Sequence, residues 1–337
     1  MSQRILITGS AGFIGFHLSK KLLEDGFEVI GIDNINDYYD VNLKLDRLKI
    51  LEGNEKFDFR KVDVSQKEDL TAVFESGLFD GVIHLAAQAG VRYSITHPDI
   101  YIASNIVGFH NMLECVRTYG TKHFIFASSS SVYGANAKLP FSTSDSVDRP
   151  ISLYAATKKS NELMAYTYSH LYQIPTTALR FFTVYGSWGR PDMALYKFAE
   201  KIKEGKPIQI YNNGNMMRDF THVNDIVESI IRLMPKPPGF SEMSQDSSGI
   251  IAPYNLFNIG SNNPVKLMEY VKILEDKLGI EAIKEFMPMQ AGDVKDTFAD
   301  VEDLIEYISY KPSTKIEVGM EEFVDWFLDY KKTNMLS

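Results

Sequence analysis

Cysteine is nearly absent from this chain: in 337 residues there is only Cys115. No intrachain disulfide can form, so stability must come from buried apolar surface, and a reducing compartment such as the cytoplasm is expected. Positive charge is also in deficit. Lys and Arg total 35 against 44 Asp and Glu, a formal net charge of −9. That argues against a broad basic face for nucleic acid or an anionic membrane. An anionic ligand must then be held by a few local arginines. No apolar run approaches the ~20 residues of a membrane span. The start, Met1-Ser2-Gln3-Arg4, leads directly into an apolar strand, so no signal peptide is expected. The seven histidines show no H-x-x-x-H pair, and no cysteine cluster exists, so no metal site is expected.

What is present is ordinary globular material, 45% hydrophobic and 23% charged. The length suggests about two domains. Strand-like and helix-like stretches alternate over residues 1–182. Strands are expected at Arg4–Thr8, Phe27–Ile32, Phe57–Val62, Val82–Ala86, His123–Ala127 and Thr176–Arg180. Helices are expected at Ile14–Leu23, Lys67–Phe74, Ser104–Arg117 and Ser152–His170. This rhythm predicts an α/β fold with a doubly wound parallel sheet of the Rossmann type. Residues 183–337 read as a smaller α/β substrate-binding cap, with some segments allowed to return to the sheet. Its helices are expected near Ala194–Lys203, Asn224–Met234, Val265–Leu278 and Glu317–Tyr330, with short strands at Ile208–Tyr211 and Phe257–Ile259. Pro235–Pro253, rich in Pro, Ser and Gly, reads as a mobile surface loop.

The first strand runs into Gly9-Ser10-Ala11-Gly12-Phe13-Ile14-Gly15. Glycines there permit a tight turn and close approach of backbone to phosphate, and the following helix offers free N–H groups. The second strand ends in Asp33, whose carboxylate suits the ribose hydroxyls of an adenosine and repels a 2′-phosphate. Neither Asn34 nor Ile35 is basic, so NAD is favoured over NADP. Asp63 and Val64 are placed at the adenine. Leu85, Ala86 and Ala87 let the cofactor lie against backbone. Asn105, early in the Ser104–Arg117 helix, joins this cofactor set.

Tyr154 and Lys158 stand four apart, on one face of a helix. A free tyrosine has a pKa of about 10, and a neighbouring ammonium favours its phenolate. A tyrosine tuned in this way can take a proton from a sugar hydroxyl as hydride leaves the same carbon. Upstream, Ser128-Ser129-Ser130-Ser131 follows an apolar strand at the edge where open α/β sheets bind ligands.

Together these features resemble the extended short-chain dehydrogenase/reductase family. Asp33-Asn34-Ile35-Asn36-Asp37-Tyr38-Tyr39-Asp40, Ala87 to Ser94, Arg180 to Gly186, Trp188 to Met193 and Arg218 to Thr221 are similar to its UDP-glucuronate 4-epimerase branch. The resemblance implies interconversion of UDP-glucuronate and UDP-galacturonate through a 4-keto sugar, with NAD tightly held. It implies Tyr154 as the base, Lys158 on the nicotinamide ribose and Ser129 as the catalytic hydroxyl. Arg218 is implied at the UDP phosphates and Asp293 at the uridine ribose. Related dehydratases and decarboxylases carry carboxylates where Ser130 and Ser131 stand, so elimination is disfavoured. Ser130, Ser131, Thr183 and Arg190 are expected to cradle the uronate, with Arg190 gripping it bidentately, and Arg92 is placed at the carboxylate or the diphosphate. A homodimer through the Ser104–Arg117 and Ser152–His170 helices is implied. The alternatives are a 4-epimerase of another UDP-hexose, a nucleotide-sugar dehydrogenase or reductase that releases its cofactor, and a non-catalytic NAD sensor.

Overall fold

The computed structural model describes residues 3–239, 252–290 and 292–335. Along the chain, β1 (Arg4–Thr8), α1 (Phe13–Glu24), β2 (Glu28–Asp33), α2 (Val41–Leu51), β3 (Phe57–Lys61), α3 (Lys67–Glu75) and β4 (Gly81–His84) come first. Two single-turn helices, α4 (Tyr93–Thr96) and α5 (Pro98–Tyr101), lead through a π-helical turn at Ile102–Val107 into α6 (Gly108–Tyr119). Then follow β5 (Phe124–Ser129), α7 (Leu153–Tyr172), β6 (Thr176–Phe181), β7 (Thr183–Tyr185), α8 (Ala194–Lys203), β8 (Ile208–Ile210), β9 (Met217–His222) and α9 (Val223–Leu233). The chain ends with β10 (Tyr254–Ile259), β11 (Pro264–Lys266), α10 (Leu267–Leu278), β12 (Lys284–Phe286), α11 (Glu302–Ile308) and α12 (Ile316–Met335).

Seven strands form one sheet in the order β10-β6-β5-β4-β1-β2-β3, and every pairing is parallel. The strands in its middle are buried along their whole length, as nearly continuous apolar runs require when helices cover both faces. One face packs Ile7, Phe16 and Leu22 against Ile226, Ile230 and Leu304. The other packs Leu6, Ile30 and Val82 against Val73, Phe109 and Met112. The strand order reverses between β1 and β4, so the ends of those two strands frame a crevice.

The chain beyond residue 183 is shared between two layers. Strand β10 is an edge of the large sheet, and α9 packs on α1. The short apolar stretch at Phe257–Ile259 thus extends to a full strand of the Rossmann layer. The remaining elements build the cap, with β11-β9-β7 and β12-β8 as small sheets and their own core around Tyr196, Ile208, Tyr270 and Phe323. Helix α2 does not stand out in the sequence, because charged residues interrupt its apolar positions and two of the residues it buries, Lys44 and Arg47, are basic. Within the expected loop Pro235–Pro253, residues 240–251 lie outside the described residues. Among the described residues no helix is long and apolar enough to cross a membrane, and no cluster of three or more metal-ligating side chains occurs.

Candidate active site

The crevice opens where the glycine turn leaves β1. Gly9 adopts a left-handed φ of +73°, and its N–H donates to the Ile32 carbonyl at 2.7 Å, tying the turn to β2. A Cβ at Gly15 would overlap the Gly9 carbonyl, and one at Gly9 would lie 2.9 Å from the Ala86 nitrogen. Helix α1 starts at this turn with no side-chain cap, so its first N–H groups face the crevice unclaimed by the protein. Arg47 of α2, fully buried, donates to the Ala11 carbonyl at 2.8 Å and to the Trp188 carbonyl at 2.5 Å. It clamps the glycine turn to the segment that carries Arg190.

The cleft holds roughly 1350 Å³ of open space out to its mouth. Gly9, Gly12, Phe13, Ile14, Gly15, Asp33, Asn34, Asp63, Val64, Leu85, Ala86 and Ala87 all line it, as do Ser129, Tyr154, Lys158 and Arg190. One Asp33 oxygen accepts from the Ile35 N–H at 2.9 Å. Burial raises the Asp33 pKa, against that hydrogen bond and the nearby charge of Lys44. Asp63 is already engaged by Asn34 and Ser65. The Gln88 amide nitrogen is buried at the cleft and has no partner among the described residues. An uncapped helix N-terminus, an aspartate on the next strand and an unclaimed amide together fit a dinucleotide.

The Asn105 carboxamide accepts from the Gln88 N–H at 2.8 Å and donates to the Gln88 carbonyl and to Thr157. From the π-turn at Ile102–Val107 it ties the loop after β4, which lines the cleft, to α7.

The reacting end is built on α7, capped by Ser152, whose hydroxyl accepts from the Ala155 N–H at 3.1 Å. The Lys158 ammonium donates to the Ala127 carbonyl at 2.9 Å. Burial pushes its pKa down to about 8, against the opposing charge of Glu162. Tyr154 departs from expectation. Burial raises the phenol pKa, while the Ser129 hydroxyl and the Arg190 charge pull the other way. Lys158 is aimed at the backbone of β5, so the expected depression by a neighbouring ammonium does not appear in the protein alone. Ser129 shares a hydrogen bond of 2.7 Å with Ser131, and Ser130 and Ser131 begin a single 3-10 turn.

Arg190 lines the cleft with its fork already paired. Its Nε and Nη2 form a bidentate pair with Asp192 at 3.0 and 2.5 Å, and the Tyr38 hydroxyl donates to the same carboxylate at 3.0 Å. The fork expected to be open for a uronate is spent on a residue two positions away. Burial works against the Asp192 charge, but the guanidinium outweighs it and holds the carboxyl below its ordinary range. Thr183 lines a smaller pocket beside Arg190. Arg92 and Asp293, both expected at the nucleotide, meet each other at 2.8 Å outside the main cleft. Arg218 donates to the Val294 and Lys295 carbonyls. Sequence reasoning missed Tyr38, Tyr39 and Lys44, which line the cleft beside Asp33. Their only signal was the Asn34–Tyr39 segment, and Lys44 is bound to Asn36 at 2.6 and 2.8 Å.

Known proteins with this geometry are informative. The chain is 59% identical over 334 residues to the protein CapI of Staphylococcus aureus, covering 98% of this chain and all of that one. It is 48% identical to a probable UDP-glucuronate 4-epimerase of Rhizobium meliloti, over 96% of this chain and 97% of the relative. The crystal structure of a UDP-glucuronic acid 4-epimerase from Bacillus cereus, in complex with UDP-glucuronic acid and NAD, superposes with a TM-score of 0.85 at 32% identity, over 97% of this chain and all of that one. The sequence profile of the NAD dependent epimerase/dehydratase family matches residues 5–243. With that match and these relatives, the chain belongs to the NAD dependent epimerase/dehydratase family.

Proposed function

We propose that this protein interconverts UDP-glucuronate and UDP-galacturonate by epimerising C4, with NAD resident in the cleft. The observation that carries the chemistry is the convergence of Tyr154, Ser129 and Lys158 at the end of the glycine-floored crevice. The substrate rests on the relatives and on the Bacillus cereus complex with UDP-glucuronic acid and NAD.

Gly9, Gly12 and the first turn of α1 hold the diphosphate of the cofactor, Asp33 its adenosine ribose, and Lys158 its nicotinamide ribose. Bound NAD supplies reversible hydride storage at C4. Tyr154 takes the 4-hydroxyl proton and later returns one. Burial raises its phenol pKa, and the Ser129 hydroxyl and the Arg190 charge offset that only in part, so the positive nicotinamide ring of bound NAD must favour the phenolate further. Lys158, with a pKa of about 8, is mostly cationic at pH 7. Ser130, Ser131 and Thr183 donate to the uronate carboxylate. This holds it in the orientation that resists loss of CO2 from the β-keto acid, and no carboxylate at positions 130 and 131 repels it. Arg190 adds positive field while its fork stays on Asp192. Arg92, Arg218 and Asp293 hold the UDP moiety. The homodimer would cover Ile102, Val107 and Leu163, which are exposed on the π-turn and α7. Cys115, buried and free, suits a reducing cytoplasm.

The test is incubation with UDP-glucuronate in D2O without added cofactor, followed by NMR. Conversion to UDP-galacturonate with no deuterium at C5 is expected. No conversion, or a UDP-pentose as main product, overturns the reading.

A further inference from the structure

Behind the reacting end lies a polar network that the chemistry above does not use. Arg180 and Glu162 are 1% and 4% exposed and pair bidentately, Nε to Oε1 at 2.8 Å and Nη2 to Oε2 at 2.9 Å. The Ser128 hydroxyl donates to Glu162 at 2.6 Å. The Tyr133 hydroxyl accepts from Arg180 at 3.1 Å and donates to Asn258 at 2.6 Å. Asn258 in turn donates to the Phe141 and Asp300 carbonyls. Ser128, Arg180 and Asn258 are direct neighbours across β5, β6 and β10. Three polar positions therefore line up across three neighbouring strands, and Glu162 of α7 closes the row.

We propose that the Glu162–Arg180 pair is a positioning device for the reacting end. It locks α7, which carries Tyr154 and Lys158, to the serine-bearing end of β5, and it sets a carboxylate one helical turn from the Lys158 ammonium. Stability alone is a poor reason for it, because a buried ion pair can often be replaced by apolar residues without loss. Its place is informative: Ser128 precedes Ser129, Glu162 follows Lys158 by four, and β6 continues from Arg180 into Phe181 and Phe182 of the cleft wall. Glu162 also opposes the effect of burial on Lys158. The groups facing Glu162 are Arg180, Lys159, Tyr133, Tyr254 and Lys158. Those facing Lys158 are Glu162 and, from β4, the buried neutral His84.

The proposal rests on the epimerase reading for its reacting end, but its first readout, a titration, needs no substrate. Lysine labelled with 13C at Cε is titrated by NMR, with Lys158 assigned by comparison with Lys158→Met. The wild-type midpoint should lie near 8. In Glu162→Gln it should fall, leaving several-fold less cation at pH 8. Glu162→Asp should restore it. The alkaline limb of the kcat profile of Glu162→Gln should move to lower pH in step. If Glu162→Gln does not fold, Glu162→Met with Arg180→Met removes both charges, and a smaller fall in the same direction is expected. An unchanged midpoint, or turnover lost equally at every pH, overturns the proposal; so does failure of both variants to fold. A protein that shows the titration shift but leaves UDP-glucuronate untouched keeps this inference and loses the substrate reading.

Discussion

The two walls of the cleft are made of different material. The floor, from β1, α1, β2 and the end of β4, meets its ligand with backbone and small residues: the Gly9–Gly15 turn, Ala86, Ala87 and an uncapped helix end. The roof is lined by charged side chains already paired within the protein, Arg190 with Asp192, and just beyond the cleft Arg92 pairs with Asp293. A backbone floor selects by sterics and cannot rearrange without a change of fold. A roof of ion pairs selects by exchange of partners, so it can be retuned by one substitution. This division suits an enzyme whose cofactor stays while its sugar must enter, turn over and leave.

The strongest way to break the comparison is Gly15→Ala. The added methyl would overlap the Gly9 carbonyl, a backbone atom that cannot step aside. Overpacking of this kind costs about 3 kcal/mol, which corresponds to roughly a hundredfold in cofactor affinity. The purified variant should carry little NAD on acid extraction, and added NAD should restore turnover only at high concentration. Retention of NAD at the wild-type level would show that the floor does not select by backbone sterics.

Asp192→Asn probes the roof, with a smaller effect. The Tyr38 hydroxyl keeps an acceptor, but the Arg190 guanidinium loses its counter-charge. A hydrogen bond to a charged group is worth about 1.5–3 kcal/mol, so kcat/KM for UDP-glucuronate should fall roughly tenfold. NAD content should stay at the wild-type level. Loss of NAD in parallel with activity would join floor and roof into one unit, which the Arg47 bridge from Ala11 to Trp188 makes a real alternative.

The same division explains what the sequence revealed. The floor is local: one turn and one strand end carry Gly9, Gly12, Gly15 and Asp33, so spacing exposes them. Tyr154 and Lys158 share a helix face and are equally legible. The roof depends on closure between distant segments. Tyr38 meets Asp192 across 154 positions, and Arg92 meets Asp293 across 201. Arg190 looked free because nothing in its spacing says that a loop turns Asp192 back onto it. The bonds of Asn105 to Gln88 and Thr157 were invisible because periodicity cannot show a π-turn rotating it toward α7. Glu162 and Arg180 gave no signal beyond polarity in apolar surroundings, since their meaning lies in strand register. The β10 stretch read as cap because a strand's sheet is set by long-range pairing, not by its own residues.

Acid should act on the Rossmann layer more than on the cap. Two neutral histidines, His84 and His123, are buried in the Rossmann layer, and a third, His17, is half-buried beside the Ser187 carbonyl. Burial, with the Lys158 charge adding to it, holds His84 down to about 3; burial holds His17 and His123 to about 4. In the unfolded chain each would titrate near 6.5. The folded values are lower, so their contribution to stability is complete above pH 6.5 and is lost as pH falls from there toward 4. One such histidine corresponds to roughly 3 kcal/mol over that whole interval, or about 1.4 kcal/mol per pH unit within it. The roof's buried histidine, His222, also has a pKa lowered by burial, but Glu322 and Asp225 oppose the shift, so it should contribute less. Urea midpoints measured at pH 7.5, 6 and 5 should therefore drop steadily below pH 6.5. His123→Gln keeps a polar side chain beside Thr177 and the Met234 carbonyl but cannot take a proton. It should be less stable than wild type at pH 7.5, and its stability should fall less steeply toward pH 5. Equal slopes in the two proteins would place the acid sensitivity elsewhere than in His123.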